Sequence, residues 1–527
     1  MKFKKNQYFY QKQALFMRHY LYILFIGFVL SLTSCRQDFE FEPSSGGLEF
    51  SKQTVYLDTV FTNIGSSTYT LKVYNNSDKD IKIPTLQLAE GQNSKYRLMV
   101  DGIPGKVFNN VELLAKDSMF IFIETTIDYS EYANPDSEYL YTDKIEFHNI
   151  SGAPQTVDLV TLVRDAYFLY PKRFGDGTTE TLPIGGEEIY GFYLDHNDPA
   201  NGDEYEWIND KPYVIYGYAA VPDNEILNIH PGAKIHFHAD SGLIIGSNAT
   251  INSNGTPSTY DVDGNVIEDN EVVFESDRLE PDFADVPGQW GTIWMTLNSN
   301  GKFNNTTIKN ATVGLLIDKN TGTLNMTNVQ IYNCSNYGIL AKTATIDGKN
   351  VVINNCGQAG LACSLGGDYN FTHCTFANYW PRPNQVPVSI DNGDGTAPFA
   401  LVNANFTNCI IYGSSSYGIS LKKEGNLFDY NFRNCLIKFF DFGQFESDPL
   451  YPIANTTDYT NCIIARNSTT NKPDFLNPTN NRLIIGEDSA AKGTADFSFS
   501  TGTSDILNKE RFGPLSDMGA YNFIIFE

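Results

Sequence analysis

Phe406-Thr-Asn408-Cys-Ile-Ile411 is one of seven copies of a six-residue template. Its first position is mostly aromatic, its third is Asn or His, and its sixth is Ile or Phe. The third position holds the marker residues Asn305, Asn328, Asn350, His373, Asn408, Asn434 and Asn461. Successive markers lie 23, 22, 23, 35, 26 and 27 residues apart. The chain therefore contains an internal repeat whose basic period is close to 22 residues.

This period predicts the architecture of the repeat. It is too short for a helix pair or a propeller blade, but it suits one coil of a parallel β-helix with three short strands and three turns. Equivalent residues of successive coils then stack about 4.8 Å apart. The marker amides are expected to hydrogen-bond along the stack and to satisfy polar groups at the bends. The residues after the markers form an inward row: Thr306, Val329, Val351, Cys374, Cys409, Cys435 and Cys462.

Segments outside the repeat carry a family resemblance. Ile226–His238, Gly242–Gly246 and Gly288-Gln-Trp-Gly-Thr-Ile293 resemble the opening coils of bacterial right-handed parallel β-helix proteins of the pectin-lyase-like type. Asp517-Met-Gly-Ala-Tyr521 resembles the segment that closes the same proteins. The resemblance implies a right-handed parallel β-helix with a C-terminal closing segment over residues 213–527.

The preceding region has the pattern of a β-sandwich. Over residues 48–165, short runs of alternating apolar residues such as Thr70–Tyr74 and Val157–Val163 are separated by turn residues. About seven such strands predict an immunoglobulin-like domain. Residues 57–75 resemble domains related to abnormal-spindle and hydin proteins. We therefore expect an all-β protein with an N-terminal β-sandwich, a connector at 166–212, and the right-handed parallel β-helix.

The N-terminus has the three parts of an export signal. Basic residues precede the apolar run Leu21–Leu30, which is too short for an ordinary membrane-spanning helix. Leu32-Thr-Ser-Cys35 follows and resembles the lipobox of bacterial lipoproteins. This resemblance implies that residues 1–34 are a signal peptide and that Cys35 carries lipid. The alternative is an uncleaved signal anchor with an incidental cysteine.

The residues behind Cys35 bear on the location of the protein. Asp38, Glu40 and Glu42 form an acidic cluster, and Pro43–Gly47 has the composition of a flexible tether, so that 35–47 forms an acidic, Gly/Ser-containing tether. Such a cluster resembles the surface-export signal of some Gram-negative bacteria. The expected location is therefore the outer membrane, with the chain facing the cell exterior.

The composition restricts the partners. The net charge is −25, and it becomes −30 when the five basic residues ahead of Cys35 are removed. Such a surface repels nucleic acid and anionic lipid, and it disfavours a bare polyanion unless a cation bridges it. The expected partners are the membrane, through the lipid anchor, and either a polysaccharide or a surface protein. Nucleic acid is excluded.

No motif identifies a catalytic centre. The sequence has no GxSxG, no HExxH and no phosphate-binding loop. The cysteines beyond Cys35 form no CxxC pair, so that no metal site is assigned, and they are expected to pack as buried thiols. Asp261-Val-Asp-Gly-Asn265 departs from a calcium loop and predicts a hairpin turn instead. No cofactor is identified, and calcium stays possible.

One insertion is the candidate binding site. The step from His373 to Asn408 is 35 residues, about 12 longer than the steps before it, so the extra residues are expected to leave the cylinder as a loop. Aromatic faces stack on sugar rings, and Arg and Asp side chains supply hydrogen bonds. The alternative is a loop that only covers the core with Trp380. The predicted binding residues are Tyr379, Trp380, Arg382, Asp391 and Asp394.

Two functions stay open at this level. The first is a lipoprotein whose β-helix is a scaffold for glycan or protein binding, or for adhesion. The second is a polysaccharide lyase or glycoside hydrolase, since proteins of this fold include both classes. The missing motifs and the acidic charge favour binding over catalysis.

Overall fold

The computed structural model describes residues 40–132, 138–184, 186–260, 266–440, 445, 447–453 and 457–526. The predicted signal peptide and the predicted lipidation site at Cys35 lie outside the described residues. No helix within these ranges is long and apolar enough to cross a membrane. The helical segments in the described ranges are five single 3₁₀ turns: Gly91–Asn93, Tyr129–Glu131, Pro281–Phe283, Pro478–Asn480 and Phe497–Phe499. The all-β class predicted from the sequence is confirmed.

The chain divides into two compact units. One contains the residues up to Leu57 together with Gly65–Thr126 and Tyr141–Val160. The other contains Asp58–Ile64, Ile127–Leu140 and Thr161–Glu527.

The N-terminal region is a β-sandwich of two sheets. The strands of the first sheet are Glu42–Pro43, Ile81–Leu88, Glu138–Phe147, Gln155–Arg164 and Thr54–Phe61 in spatial order, with Val107–Leu113 also paired to Ile81–Leu88. The second sheet is antiparallel, with the order Glu49–Phe50, Tyr69–Tyr74, Ser118–Thr125, Tyr96–Val100 and Ile103–Gly105. Alternate residues such as Leu71 and Val73 are buried. The strands outnumber the expected seven because two- and three-residue edge strands leave no alternation in the sequence.

A 26-stranded sheet forms the β-helix. Its strands are Tyr167–Leu169, Thr181–Ile184, Glu187–Tyr193, Glu206–Trp207, Tyr213–Ile215, Tyr218–Val221, Ile226–Ile229, Lys234–Phe237, Gly242–Ile245, Thr250–Asn254, Val272–Ser276, Trp290–Met295, Asn300–Lys309, Ala311–Asp318, Thr323–Cys334, Tyr337–Cys356, Ala359–Thr372, Thr375–Asn378, Val386–Asp391, Leu401–Thr407, Ile410–Gly413, Ile419–Lys422, Asn431–Arg433, Leu436–Lys438, Tyr459–Thr460 and Ile463–Ala465. Two hairpins stand outside it: Thr259–Tyr260 with Val266–Glu268, and Phe475–Asn477 with Arg482–Ile485. The first hairpin flanks the turn predicted at 261–265, which lies outside the described residues.

The seven template copies stack in register. Their first residues are parallel-sheet partners from coil to coil, in the order Phe303, Met326, Gly348, Phe371, Phe406, Phe432 and Tyr459. The core is a continuous apolar column inside this stack, and it includes stacked pairs of rings such as Phe371 with Phe406 and Phe406 with Phe432. The β-sandwich followed by a parallel β-helix, predicted from the sequence, is therefore confirmed.

The coils begin earlier than residue 213. Tyr167–Leu169 pairs in parallel with Tyr213–Ile215, and Glu206–Trp207 pairs with strand Ile226–Ile229. Residues that the sequence assigns to a connector thus contribute strands to the first coil. Their period is hidden because the hairpin from Thr181 to Tyr193 interrupts it. Trp207 is fully buried and fills the column at this end.

Each marker residue occupies the left-handed backbone region. All seven have φ between 40° and 56°. Asn tolerates this conformation better than other residues with a side chain, because its short amide bonds locally. Asn328 Nδ2 donates to Asn305 Oδ1 at 3.1 Å, and Asn350 Nδ2 donates to Asn328 Oδ1 at 2.9 Å. The marker therefore turns the chain and ties one coil to the next.

The C-terminal segment adds bonds to this ladder in the later coils, where Asn408 Nδ2 still lies 3.1 Å from His373 Nε2. Arg511 is buried and donates to Asn350 Oδ1 at 3.1 Å, while His373 Nε2 lies 2.8 Å from Ser500 Oγ. Asn408 Nδ2 donates to Asp496 O at 2.9 Å. Gly519 has φ 87° and lies against Ile410, where a side chain would collide. The predicted closing segment thus runs along the side of the coils and supplies further bonds to the markers.

The cysteines pack as thiols in the column. All seven beyond Cys35 are free, and six of them are buried. Burial raises the pKa of the Cys409 and Cys435 thiols well above the usual value, which keeps them protonated.

The marker ladder predicts a specific loss of stability. Asn328→Ala removes two amide hydrogen bonds and puts alanine, which tolerates the left-handed region less well than asparagine, at φ 56°, so we expect the free energy of unfolding to fall by about 2 kcal/mol. Asn328→Gly loses the same hydrogen bonds but adopts the left-handed region without strain. It should therefore lower the free energy of unfolding by less than Asn328→Ala. Urea denaturation measures both variants. Equal stability of Asn328→Ala and the wild type would contradict the role of the ladder.

His373 predicts a dependence of stability on pH. Burial, followed by the charge of Arg511, lowers the pKa of His373 well below its usual 6.5. The folded protein therefore keeps it neutral while the unfolded chain takes up a proton, so stability should fall as the pH drops below about 6.5. His373→Asn, which restores the residue of the other markers, should flatten melting temperature against pH between about 5.5 and 7. The buried His236, whose pKa is also lowered by burial, should leave a residual slope. An unchanged slope in the variant would refute the assignment.

Candidate functional site

The long step after His373 is divided between two corners of the coil. Ile353 and Ala359 are six positions apart, whereas their sheet partners Phe376 and Val386 are ten apart. Four extra residues therefore lie in the turn 379–385. The strand Val386–Asp391 then returns to the sheet. The prediction of a single loop that leaves the cylinder is therefore wrong.

The remaining extra residues lie at the next corner. Cys363 and Gly367 are four positions apart, whereas their partners Ile390 and Leu401 are eleven apart. The strand between the corners satisfies its backbone groups in the sheet, which favours two short turns over one long loop. Residues 379–385 and 392–400 are consequently separate structures.

The first corner opens into a surface pocket of about 470 Å³. This volume lies within the range of small-ligand sites. Two chain segments from consecutive coils form its walls, namely residues 379–385 and 414–417. The lining residues are Tyr379, Trp380, Pro381, Arg382, Pro383, Asn384, Gln385, Ser414, Ser415, Ser416 and Tyr417. No aspartate or glutamate is among them.

Trp380 is one of three half-buried aromatic residues that line the pocket, with Tyr379 and Tyr417. Its indole lies beside Gly357 of the preceding coil, where a β-carbon would be 3.5 Å from Trp380 Cζ2 and would overlap the carbonyl oxygen of Ser335. Only glycine fits there, so the coil below keeps a flat surface next to the ring. Ser414 Oγ donates to the Trp380 carbonyl oxygen at 3.1 Å and holds the backbone of the residue. The pocket thus has a positioned aromatic side chain.

Tyr379 lines the pocket and also has a packing role. It packs into the apolar clusters under the C-terminal segment, with its ring 6.3 Å from that of Phe475. Burial raises the pKa of its hydroxyl above the usual value. Tyr379 therefore anchors the turn that carries Trp380.

Arg382 is the charged residue of the pocket. It is exposed and forms no ion pair or hydrogen bond with any described residue. Its guanidinium therefore keeps its five N–H donors for solvent or a ligand.

Asp391 and Asp394 do not line this pocket. Asp391 accepts from Ser364 Oγ at 2.9 Å and from Leu365 N at 3.0 Å, and so braces a turn of the preceding coil. Asp394 is exposed and accepts from the side chain and backbone of Thr396, which lower the pKa of its carboxyl to about 2. Both carboxylates stabilise turns at the second corner, away from the tryptophan with which the sequence groups them.

Sequence reasoning missed the second wall of the pocket and Gln385. Ser414–Tyr417 follows the strand Ile410–Gly413, which is the partner of Thr375–Asn378. The marker alignment places these turns at the same corner in consecutive coils, so counting from Asn408 would have found the serines. Gln385 carried no such signal, because its burial depends on the path of the turn.

No protein-family model matches the chain, and no curated protein matches it. Among solved structures, it is similar to the E. coli chaperone DraB at 16% identity over 28% of this chain and 80% of that chain, with a TM-score of 0.16. It is similar to the periplasmic chaperone SfaE at 18% identity over 23% of this chain and 58% of that chain, with a TM-score of 0.15. The match therefore spans less than two thirds of SfaE. It is similar to the catalytic domain of a GH87 alpha-1,3-glucanase in complex with nigerose at 13% identity over 71% of this chain and 81% of that chain, with a TM-score of 0.18. TM-scores this low carry no information on function, and the fold rests on the strand pairing.

Proposed function

We propose that the protein is a lipid-anchored, surface-exposed scaffold that binds a glycan at the Trp380 pocket. The observation that carries the proposal is the composition of this pocket, in which one positioned indole is surrounded by hydroxyl, amide and guanidinium groups. Sugar rings present an apolar face and a rim of hydroxyls, and this arrangement complements both.

The charge of the chain restricts the class of glycan. A net charge of −25 repels polyanions at long range. Arg382 is exposed and offers donors that a neutral sugar hydroxyl can use. The proposed ligand is therefore a neutral glycan.

Catalysis has less support at this pocket. Glycoside hydrolysis in most families requires two carboxylates that flank the scissile bond. Among the described residues that line the pocket there is neither Asp nor Glu, and Asp391 and Asp394 brace turns at another corner. A polysaccharide lyase or glycoside hydrolase remains the alternative function, and release of reducing or unsaturated ends from polysaccharides would favour it.

The anchor is the second part of the proposal. The lipobox-like Leu32–Cys35 and the acidic residues behind it support lipidation at Cys35 and export to the outer surface. Glu42–Pro43 pairs with Ile81–Lys82 in the sandwich, so the predicted tether 35–47 is too long. The residues between Cys35 and Glu42 would link the folded region to the membrane.

Removal of the indole tests the glycan site. Trp380→Ala should weaken binding to a neutral polysaccharide from a panel of glucans, mannans and xylans by at least about 10-fold, because a central aromatic anchor is lost. Tyr56→Ala is the matched control, since Tyr56 is 69% exposed and does not line the pocket. Affinity electrophoresis measures both. Retention that is equal in Trp380→Ala and the wild type would refute the site.

Removal of the thiol tests the anchor. Cys35→Ala should abolish incorporation of labelled palmitate and release the protein from the membrane fraction, because the thiol proposed to carry the lipid is removed. Protease added to intact cells should degrade the wild-type protein if it faces outward. Membrane retention and labelling in Cys35→Ala would show that the protein is held in another way.

A further inference from the structure

Gln385 is a buried amide in the wall of the pocket. Its side chain is 5% exposed, and it ends the turn that carries Trp380. Its Nε2 donates to Ser414 Oγ at 2.7 Å. Its Oε1 has no hydrogen-bond partner among the described residues. A buried acceptor without a donor costs about 1–3 kcal/mol of folding free energy. A hydrogen-bond donor from outside the chain would remove this cost.

The orientation of the amide is fixed by its neighbours. Ser414 has one hydroxyl proton, and two backbone carbonyl oxygens lie within its reach, that of Trp380 at 3.1 Å and that of Asn378 at 3.4 Å. A carbonyl oxygen can only accept, so Ser414 Oγ must itself accept from the Gln385 amide. The nitrogen of Gln385 is therefore committed to Ser414, and the oxygen is left for a ligand. The same relay couples the position of Trp380 to that of Gln385.

We propose that Gln385 is the specificity-determining residue of the pocket, and that it accepts a hydrogen bond from one free hydroxyl of a neutral sugar held at Trp380. The inference rests on the proposed glycan-binding function and names the form of sugar that the site takes. Because Gln385 is almost completely buried, only a small group can reach its oxygen. The site consequently selects sugars in which this hydroxyl is unsubstituted, and it rejects their deoxy, O-methyl and O-acetyl forms.

Physical chemistry makes this selection strong. A deoxy sugar leaves the acceptor unpaired, and a substituted oxygen both lacks the proton and needs more room. A polar site that loses its partner discriminates far better than an apolar pocket that loses a methyl group.

The test combines altered ligands with an altered residue. The probes are the methyl glycosides of glucose, galactose and mannose, with the monodeoxy and mono-O-methyl derivatives of each, measured by ligand-observed NMR against the full chain. Gln385→Met removes the acceptor at similar size. Gln358→Met is the control, because Gln358 lies at the same corner one coil earlier, is exposed and does not line the pocket.

For the wild type and Gln358→Met, we expect modification of one particular hydroxyl to weaken binding by about 10-fold or more, while the other positions matter less. In Gln385→Met, that position should no longer differ from the rest. If every derivative binds the wild type like its parent, or if the selectivity persists in Gln385→Met, the role of Gln385 is refuted while glycan binding stands. If no parent glycoside binds the wild type, the proposed function itself fails. The wild-type series alone decides the question if Gln385→Met does not fold.

Discussion

The structure depends on one bend that recurs in every coil of the repeat. At this bend an Asn, or once a His, holds the backbone at positive φ, and in six of the seven copies its side chain bonds to an adjacent coil or to the C-terminal segment. The conformation disfavours most side chains, and the hydrogen bond requires a polar group close to the backbone. Together they fix where each coil turns and which residues stack above one another.

Fixed stacking determines where the chain can vary. The apolar column admits no extra residue without disturbing its neighbours, because protein interiors are close-packed. Added residues must therefore leave at the corners. The coil after His373 has four extra residues at one corner and most of its other extra residues at the next corner. The residues at the first corner form a pocket together with the serine turn of the following coil. The pocket is thus a consequence of the same register that holds the column together.

Much of the fold could be read from the sequence, since the repeat imposes it. The marker spacing revealed the coils, and the inward row after the markers matches the buried positions, with Cys462 only partly buried. The first coil escaped detection because a hairpin breaks its period. The site was less accessible to sequence reasoning. Trp380 and Arg382 stood out by residue type, but Asp391 and Asp394 were grouped with them only because they are close in sequence. The role proposed for Gln385 depends on the single hydroxyl proton of Ser414. No sequence pattern indicates that contact.

The central claim is that this corner is a sugar site in which Trp380 supplies the face and Gln385 reads a hydroxyl. The most direct measurement is a crystal structure of the protein soaked with a neutral methyl glycoside. We expect a sugar ring against the Trp380 indole, with one hydroxyl oxygen about 2.7–3.0 Å from Gln385 Oε1. A sugar bound at another surface, or a Gln385 amide that turns its nitrogen towards the ring, would contradict it.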